Sequence, residues 1–133
     1  MPYYGNPEVP FETLLGETLA SVDGCENGSN EVTFKTQSGR TFKMFHDQDC
    51  CEQVSIEDVC GDVVDLIGTP LLQAEESTST ENPEGVTPEY QDSFLWTFYR
   101  LATIKGSVVI RWYGESNGYY SESVDFKEII EQN

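Results

Sequence analysis

Polar and apolar residues alternate along several segments of the chain with the period of two that is typical of half-buried β-strands. Residues 31–36 and 41–46 alternate in this way on either side of a short Ser-Gly turn, which predicts a β-hairpin. Aromatic and β-branched residues fill 93–104 and 107–113 around a Lys-Gly turn, and they predict a second hairpin. Further strands are expected at 17–23, 71–76 and 119–126. The sheet is therefore expected to be antiparallel.

Three other segments carry the signals of short helices. Residues 10–15 are predicted to form one helix because Gly16 supplies a common C-terminal stop. Residues 55–58 begin like a capped helix, with Ser at the cap and an acid three residues later. Residues 62–67 predict a further helical turn that ends at Gly68. The combined pattern predicts an α+β fold, with an antiparallel sheet of about six or seven strands and two or three short helices.

The length of the chain, 133 residues, fits a single domain covering 1–133. Residues 77–92 are rich in Ser, Thr, Glu, Pro and Gly, and they predict an exposed acidic loop. No apolar run approaches the roughly 20 residues of a membrane span, and the first residues do not resemble a signal peptide. The protein is therefore expected to be intracellular, with its four cysteines as thiols or metal ligands rather than disulfides.

Acidic side chains dominate the composition: Asp and Glu total 24 against seven Lys and Arg, for a net charge of −17. Residues 47–92 contain thirteen acids and no Lys or Arg. Such a chain is repelled by phosphate backbones and anionic lipids, which argues against nucleic-acid or membrane binding and favours a basic protein surface as partner. A folded acidic surface could imitate the charge density of duplex DNA, or it could serve solubility alone. The acids expected to hold a fixed charge pattern for a partner are Glu57, Asp58, Asp62 and Asp65.

A cluster of candidate metal ligands begins this acidic segment. His46, Cys50 and Cys51 lie within six residues, and zinc prefers thiolates and imidazole nitrogens as ligands. Cys60 is the obvious fourth ligand, with Cys25 in reserve. The alternative is that some of these cysteines are small buried hydrophobes. Four protein ligands would make the zinc site closed and structural.

Signals for catalysis are weak by comparison. His46 is the only histidine, and the neighbouring cysteines are too close in sequence to form a usual catalytic pair with it. A metal-dependent hydrolase is an alternative, with Glu52 or Asp49 acting beside the metal. The acids do not fit an EF-hand, and the sequence has no glycine-rich phosphate loop. The sequence therefore favours a protein that is not an enzyme.

Several motifs of the chain are familiar as a set. They are FHDQDCCEQV (45–54), IEDV (56–59), GD (61–62), DLIGTP (65–70), WTFY (96–99) and RWYGESNGYYS (111–121). The set resembles a widespread family of small acidic proteins of bacteriophages and prophages, classed as a domain of unknown function, over about residues 11–126. The first three predicted zinc ligands match the family pattern, whereas Cys25 and Cys60 do not belong to it. The resemblance therefore allows a carboxylate such as Glu75 or Glu76 as the fourth ligand.

Small acidic phage proteins without enzyme motifs often disable host defences, and the resemblance implies a function of this kind. The nearest functional class is the anti-CRISPR proteins, some of which contain zinc and stop Cas9 from loading DNA. Cas9 holds nucleic acid in positively charged channels, which gives an acidic inhibitor a physical route to it. The expected function is a phage-encoded, zinc-containing inhibitor that binds a basic surface of Cas9 or another nuclease in the cytoplasm of the host bacterium. A phage accessory protein with no defence role is the other alternative.

Overall fold

The computed structural model describes residues 6–48, 51–82, 93–116, 118 and 121–130. These residues form eight β-strands and two short 3-10 helices. The strands, in chain order, are β1 (Leu19–Asp23), β2 (Glu31–Thr36), β3 (Thr41–Phe45), β4 (Gln53–Cys60), β5 (Gln73–Ser79), β6 (Ser93–Thr103), β7 (Gly106–Ser116) and β8 (Asp125–Ile129). The 3-10 helices span Phe11–Leu14 and Val63–Leu66.

The strands form two antiparallel sheets of four strands each. The first sheet has the order β1-β2-β3-β8, so the last strand of the chain lies beside β3. The second sheet has the order β4-β7-β6-β5, with the long strands β6 and β7 at its centre. Each sheet has an apolar face, and antiparallel sheets commonly bury such faces against each other.

One hydrophobic core contains residues from both sheets. Phe34 of β2 and Trp112 of β7 are fully buried in it. Trp112 Nε1–H donates a hydrogen bond to the Met44 sulfur of β3 at 3.1 Å, which connects the two sheets. Phe126 of β8 stacks on Phe42 of β3, with ring centroids 5.4 Å apart. Truncation of a large aromatic side chain in such a core typically costs about 3–5 kcal/mol of stability.

Both predicted hairpins are confirmed. β2 pairs with β3 in a register that places Phe34 opposite Phe42, and β6 pairs with β7 along its whole length. The last strand was placed too early by its sequence pattern: it was predicted at 119–126, whereas β8 runs from Asp125 to Ile129. The antiparallel arrangement of the strands is therefore as predicted, except that the last strand lies further along the chain.

The predicted α+β class is wrong, because the described residues contain no α-helix and form two sheets rather than one. The largest error concerns residues 55–58, which were predicted to begin a helix and lie within β4. Ile56 and Val59 are three residues apart, a spacing that suits one face of a helix. A β-bulge between Ile56 and Asp58 inserts one residue into the strand, so Ile56 and Val59 both reach the core.

The other two predicted helices are single 3-10 turns. Phe11–Leu14 contributes both of its end residues to the core. Val63–Leu66 begins after Asp62, whose carboxylate accepts a hydrogen bond from the Val64 N–H at 3.1 Å and so caps the turn. No helix in the described part of the chain has the length and hydrophobicity of a membrane span.

The predicted acidic loop, 77–92, begins inside a strand. Residues 77–79 belong to β5, and residues 83–92 lie outside the described residues.

Candidate functional site

A polar cluster with a buried His–Glu pair lies where the chain passes from the first sheet to the second. His46 directly follows β3 and Glu52 directly precedes β4. His46 Nε2 and Glu52 Oε2 share a hydrogen bond of 3.0 Å. Gln48 Nε2 donates to Glu52 Oε1 at 3.0 Å and to the Glu52 carbonyl oxygen at 2.6 Å. We call His46, Gln48 and Glu52 the closed cluster.

The closed cluster also holds the segment that precedes β8. The carbonyl oxygen of Ser123 can only accept, so His46 Nδ1 carries the hydrogen of the 2.7 Å bond between them. The side chains of His46 and Glu52 are 3% and 0% exposed. Buried polar groups stabilise a fold when each has its partner. The cluster therefore ties three segments of the chain together, and both ring nitrogens of His46 take part.

The predicted zinc ligands are not gathered around one point in the described residues. Cys51 is disulfide-bonded, so the prediction that the cysteines are thiols or metal ligands is wrong at this position. Cys50 lies outside the described residues. Cys60 is exposed at the end of β4, roughly 23 Å along the strand from its start beside the closed cluster. Among the described residues, no three His, Cys, Asp or Glu side chains form a group able to hold a metal ion.

This arrangement of the described residues does not fit the predicted four-ligand site, and His46 could bind zinc only by giving up a hydrogen bond of the closed cluster. Zinc itself stays a prediction.

The remaining candidate ligands and bases have other surroundings. Cys25 packs against the core, where burial raises the pKa of its thiol to about 11 and so keeps it protonated at neutral pH. Glu75 and Glu76 lie on β5 in the second sheet. For the alternative of a metal-dependent hydrolase, Glu52 is enclosed in the closed cluster, and Asp49 lies outside the described residues.

The four acids predicted to bind a partner lie in different local environments. Arg111 Nε donates to Glu57 Oε2 at 2.7 Å, and Asp58 lies opposite Arg111 in the strand register. Asp62 caps the second 3-10 helix. The Asp65 carboxylate packs closely against the glycine that begins β7. Two of the four acids therefore have local structural roles, and Glu57 is partly neutralised by its ion pair.

A second polar site, which no sequence motif indicates, opens where the N-terminal segment, β5 and β8 meet. It is a cavity of about 340 Å³. Its carboxylates belong to Glu8, Glu12, Glu76 and Asp125, and its apolar walls to Val9, Pro10, Phe11, Val124 and Phe126. Among the described residues, no Lys or Arg lines this cavity or forms an ion pair with its carboxylates. We call it the acid pocket.

Backbone pairing brings distant parts of the chain to the acid pocket. The Val9 N–H donates to the Phe126 carbonyl oxygen at 3.2 Å, and Glu8 pairs with Lys127 in an isolated antiparallel bridge. Glu76 reaches the pocket from β5, an edge strand that contacts the first 3-10 helix. The pocket therefore forms only when these three segments are assembled.

Asp125 resists ionisation in the acid pocket. Burial raises the pKa of its carboxyl group, and a hydrogen bond to Glu8 together with the negative charge of Glu8 raises it further. The Asp47 N–H, which donates to Asp125 Oδ2 at 3.2 Å, and the interaction with His46 act in the opposite direction. The net effect raises the pKa of Asp125, so its carboxyl group keeps its proton to a higher pH than an exposed aspartic acid does.

Tyr99 of β6 lies beside the acid pocket. Its side chain is fully buried, and its ring packs on Phe11 with centroids 4.7 Å apart. The hydroxyl group has no hydrogen-bond partner of normal geometry, and its contact with Glu76 falls outside that geometry. Burial raises the pKa of this hydroxyl well above its ordinary value, and Glu76 and Asp125 raise it further. Glu76 lies directly opposite Tyr99 in the strand register and lines the pocket, so the Tyr99 side chain lies on the same face of the sheet as a residue of the pocket.

The carboxylates of the acid pocket are widely separated along the chain, at 8, 12, 76 and 125, and the neighbouring tyrosine is at 99. No local motif joins them, and only the strand topology brings them together. The one sequence signal is weak: Asp125 stands between the apolar residues Val124 and Phe126 near the start of a strand.

The fold and its two polar sites define a strongly acidic protein of two antiparallel sheets, with a carboxylate-lined cavity beside its core. The chain belongs to the family described as a domain of unknown function (DUF7448), which matches residues 12–126. Comparison with curated proteins and with solved structures gave no match. The family description carries no information about a phage origin, which stays a prediction.

Proposed function

We propose that this protein is a non-enzymatic interaction protein that binds a basic surface of another protein. The excess of acidic side chains is the observation that supports this function. Even with every Lys and Arg paired, seventeen carboxylates would remain, as the net charge of −17 records. The ion pairs among the described residues already engage Arg40, Lys43 and Arg111. The protein's own cations therefore leave a large negative potential for a partner.

A negative electrostatic potential of this size acts on a partner protein before the two proteins touch. It attracts a basic partner, accelerates the encounter and disfavours acidic partners. Mobile ions screen it, because the Debye length is about 8 Å at physiological ionic strength. Binding that rests on this potential must weaken as salt is added.

The partner we propose is a nuclease with a positively charged nucleic-acid channel, such as Cas9. The protein would be a phage-encoded inhibitor that blocks DNA loading in the cytoplasm of the host bacterium. The motif resemblance and the charge both support this choice. Carboxylates inside such a channel compete with DNA phosphates for the same Lys and Arg side chains.

The second sheet presents acids on both of its edge strands. Glu57 and Asp58 lie on β4, and Glu75 and Glu76 lie on β5. Each of these edge strands is paired with a central strand of the sheet, which fixes the positions of its carboxylates as electrostatic complementarity requires. We therefore expect this sheet to face the partner.

Binding of the Cas9–guide RNA complex, measured between about 50 and 300 mM salt, tests this function. We expect the affinity to fall at least about tenfold over this range, because screening removes the long-range attraction. Replacement of Glu57 and Asp58 by Lys should weaken binding more than replacement of Asp23 and Glu26, which makes the same charge change near β1. Circular dichroism confirms that the variants are folded. An affinity that neither salt nor charge reversal changes would overturn the proposal.

A further inference from the structure

The polar groups at the acid pocket lack partners of opposite charge among the described residues. Its carboxylates face a cavity that no Lys or Arg of the described residues lines. Beside them, the fully buried Tyr99 hydroxyl has no hydrogen-bond partner of normal geometry, although it contacts Glu76. Almost all buried polar groups in native proteins are paired, so a poorly paired one beside a cavity points to a group that completes it.

We propose that the acid pocket binds the guanidinium group of an arginine side chain presented by a partner protein. This inference rests on the proposed function and deepens it, because it assigns one recognition site within the acidic surface.

A guanidinium group matches the polar atoms of the acid pocket. It is planar and has five N–H donors, so it can bond to several acceptors in different directions. Glu8, Glu76 and Asp125 approach the cavity from three separate segments. The oxygen of Tyr99, which lies opposite Glu76 in the strand register, adds a neutral acceptor beside the cavity. One arginine side chain could therefore satisfy groups that the chain leaves unpaired.

The apolar walls suit the rest of an arginine side chain. Phe11 and Phe126 are nearly completely buried and form an apolar floor of the cavity, which limits the access of water to a bound cation. Pro10 and Val124 offer surface for the aliphatic stem. A cavity of about 340 Å³ falls within the range of about 300–1,000 Å³ that is usual for ligand sites.

The carboxylates of the acid pocket suit an extended organic cation better than a metal ion. Calcium needs six or more oxygens within about 2.3–2.6 Å of a single point. The described residues contain no group of acidic side chains arranged in that way. A guanidinium group spreads its donors over several ångströms, so it can join carboxylates that are too far apart to share one ion.

A bound cation would also relieve the repulsion inside the acid pocket. Glu8 and Asp125 are hydrogen-bonded to each other, and their mutual charge raises the pKa of Asp125. A guanidinium group placed beside Asp125 favours ionisation of its carboxyl group. The partner's arginine therefore offsets the effect that burial and Glu8 have on Asp125.

The proposal can be tested with N-acetyl-arginine-N-methylamide, titrated into the isotopically labelled protein and followed by NMR shifts of backbone amides. The corresponding citrulline amide is the control, because it has nearly the same shape and no charge. We expect saturable shifts at Val9, Phe11 and Phe126 with the arginine probe, and none at these amides with the citrulline probe. Equal shifts from both probes would overturn the proposal, as would the same shifts from calcium alone.

Three variants distinguish binding of the probe in the acid pocket from general electrostatic attraction to the protein. Tyr99→Phe leaves the net charge unchanged and should weaken the probe by about threefold or more, because an acceptor is lost. Glu76→Gln should weaken it by about tenfold, since a charge-assisted bond is lost. Glu26→Gln removes one exposed charge elsewhere and should change the affinity less than twofold, which is about the cost expected from screened charges. Equal losses from Glu76→Gln and Glu26→Gln would assign the probe to diffuse attraction and overturn the pocket.

The proposed function and this inference can fail separately. A nuclease complex that stays sensitive to salt but is unaffected by Tyr99→Phe and Glu76→Gln would overturn the arginine site alone. A probe that binds in the acid pocket while no basic protein binds in a salt-dependent manner would overturn the proposed function instead.

Discussion

The closed cluster and the acid pocket are adjacent and differ in how their buried polar groups are satisfied. In the closed cluster, the carboxylate of Glu52 is bonded to His46 and Gln48. In the acid pocket, Asp125 has a carboxyl neighbour and the Tyr99 hydroxyl has no partner. The Asp47 N–H, which donates to Asp125, directly follows His46 in the chain and connects the two sites. The first site completes the fold, whereas the second leaves groups for a ligand to complete.

Proximity along the chain accounts for much of this difference. The three members of the closed cluster lie within one short connection, so few residues must be ordered to bring them together. The acid pocket draws on segments far apart in the chain, each fixed by its own strand pairing. A buried polar network contributes most to stability when every member is satisfied. The comparison therefore predicts opposite effects of substitutions in the two sites.

The largest effect is expected for Glu52→Ala. It leaves the buried ring of His46 without its acceptor, which should cost about 3 kcal/mol of unfolding free energy. Urea denaturation measures this loss. Glu26→Ala, at an exposed position, is the control and should change stability by less than about 0.5 kcal/mol. A loss below about 1 kcal/mol for Glu52→Ala would mean that the closed cluster does not hold the sheets together.

A smaller, pH-dependent effect is expected for Asp125→Asn. Because the folded-state pKa of Asp125 is raised, its contribution to stability is fully present below the unfolded value of about 3.9 and is lost as the pH rises through the folded pKa. The asparagine variant has no such loss, so its stability relative to the natural chain should increase between pH 4 and pH 7. Thermal unfolding at several pH values measures the difference.

Asp23→Asn, which makes the same charge change on β1, is the control for Asp125→Asn. It should show a weaker dependence on pH, because Asp23 is exposed at an edge strand. Equal pH profiles for the two variants would mean that the acid pocket does not affect the ionisation of Asp125.

Tyr99→Phe should raise the unfolding free energy by up to about 1 kcal/mol, because it removes a buried hydroxyl group that has no partner. Chemical denaturation of the two proteins gives the difference. Tyr113→Phe is the control, because the Tyr113 hydroxyl donates a hydrogen bond to Glu115 at 3.0 Å. Its removal should not raise the unfolding free energy. A stability loss above about 1 kcal/mol for Tyr99→Phe would show that Glu76 holds this hydroxyl in solution.

The smallest effect is expected for Glu57→Gln. Its ion pair with Arg111 is largely solvent-accessible, with side chains 40% and 25% exposed, so its removal should cost less than about 0.5 kcal/mol after screening. Denaturation at low and high salt checks this value, since the cost should shrink as salt is added. A cost comparable to that of Glu52→Ala would erase the distinction between surface and buried carboxylates on which the comparison rests.

Local patterns predicted the parts of this fold that local interactions determine. The hairpins β2–β3 and β6–β7 follow from alternation and turn residues. β4 could not be recognised, because its bulge gives Ile56 and Val59 a helical spacing. The division into two sheets depends on β8 pairing with β3, which no local pattern encodes.

Local sequence patterns are limited in the same way for the closed cluster and the acid pocket. The sequence predicts a polar constellation from His46 to Glu52 and proposes zinc as its ligand, whereas the hydrogen bond between His46 and Glu52 is visible only in the folded chain. The complete burial of Glu52, which makes it the partner of His46, depends on the packing of both sheets. The acid pocket could not be found at all, since Glu8, Glu76 and Asp125 meet only in the folded chain.

The pairing of β8 with β3 also determines when the protein can act during its synthesis. Met44 pairs with Phe126 across β3 and β8. The first sheet therefore cannot form completely until Phe126 has left the ribosome. Until then, Glu8 has no Asp125 beside it, and the cavity between them does not exist. A nascent chain therefore carries the acidic charge long before it carries the arginine site, and selective recognition begins only once β8 has been made.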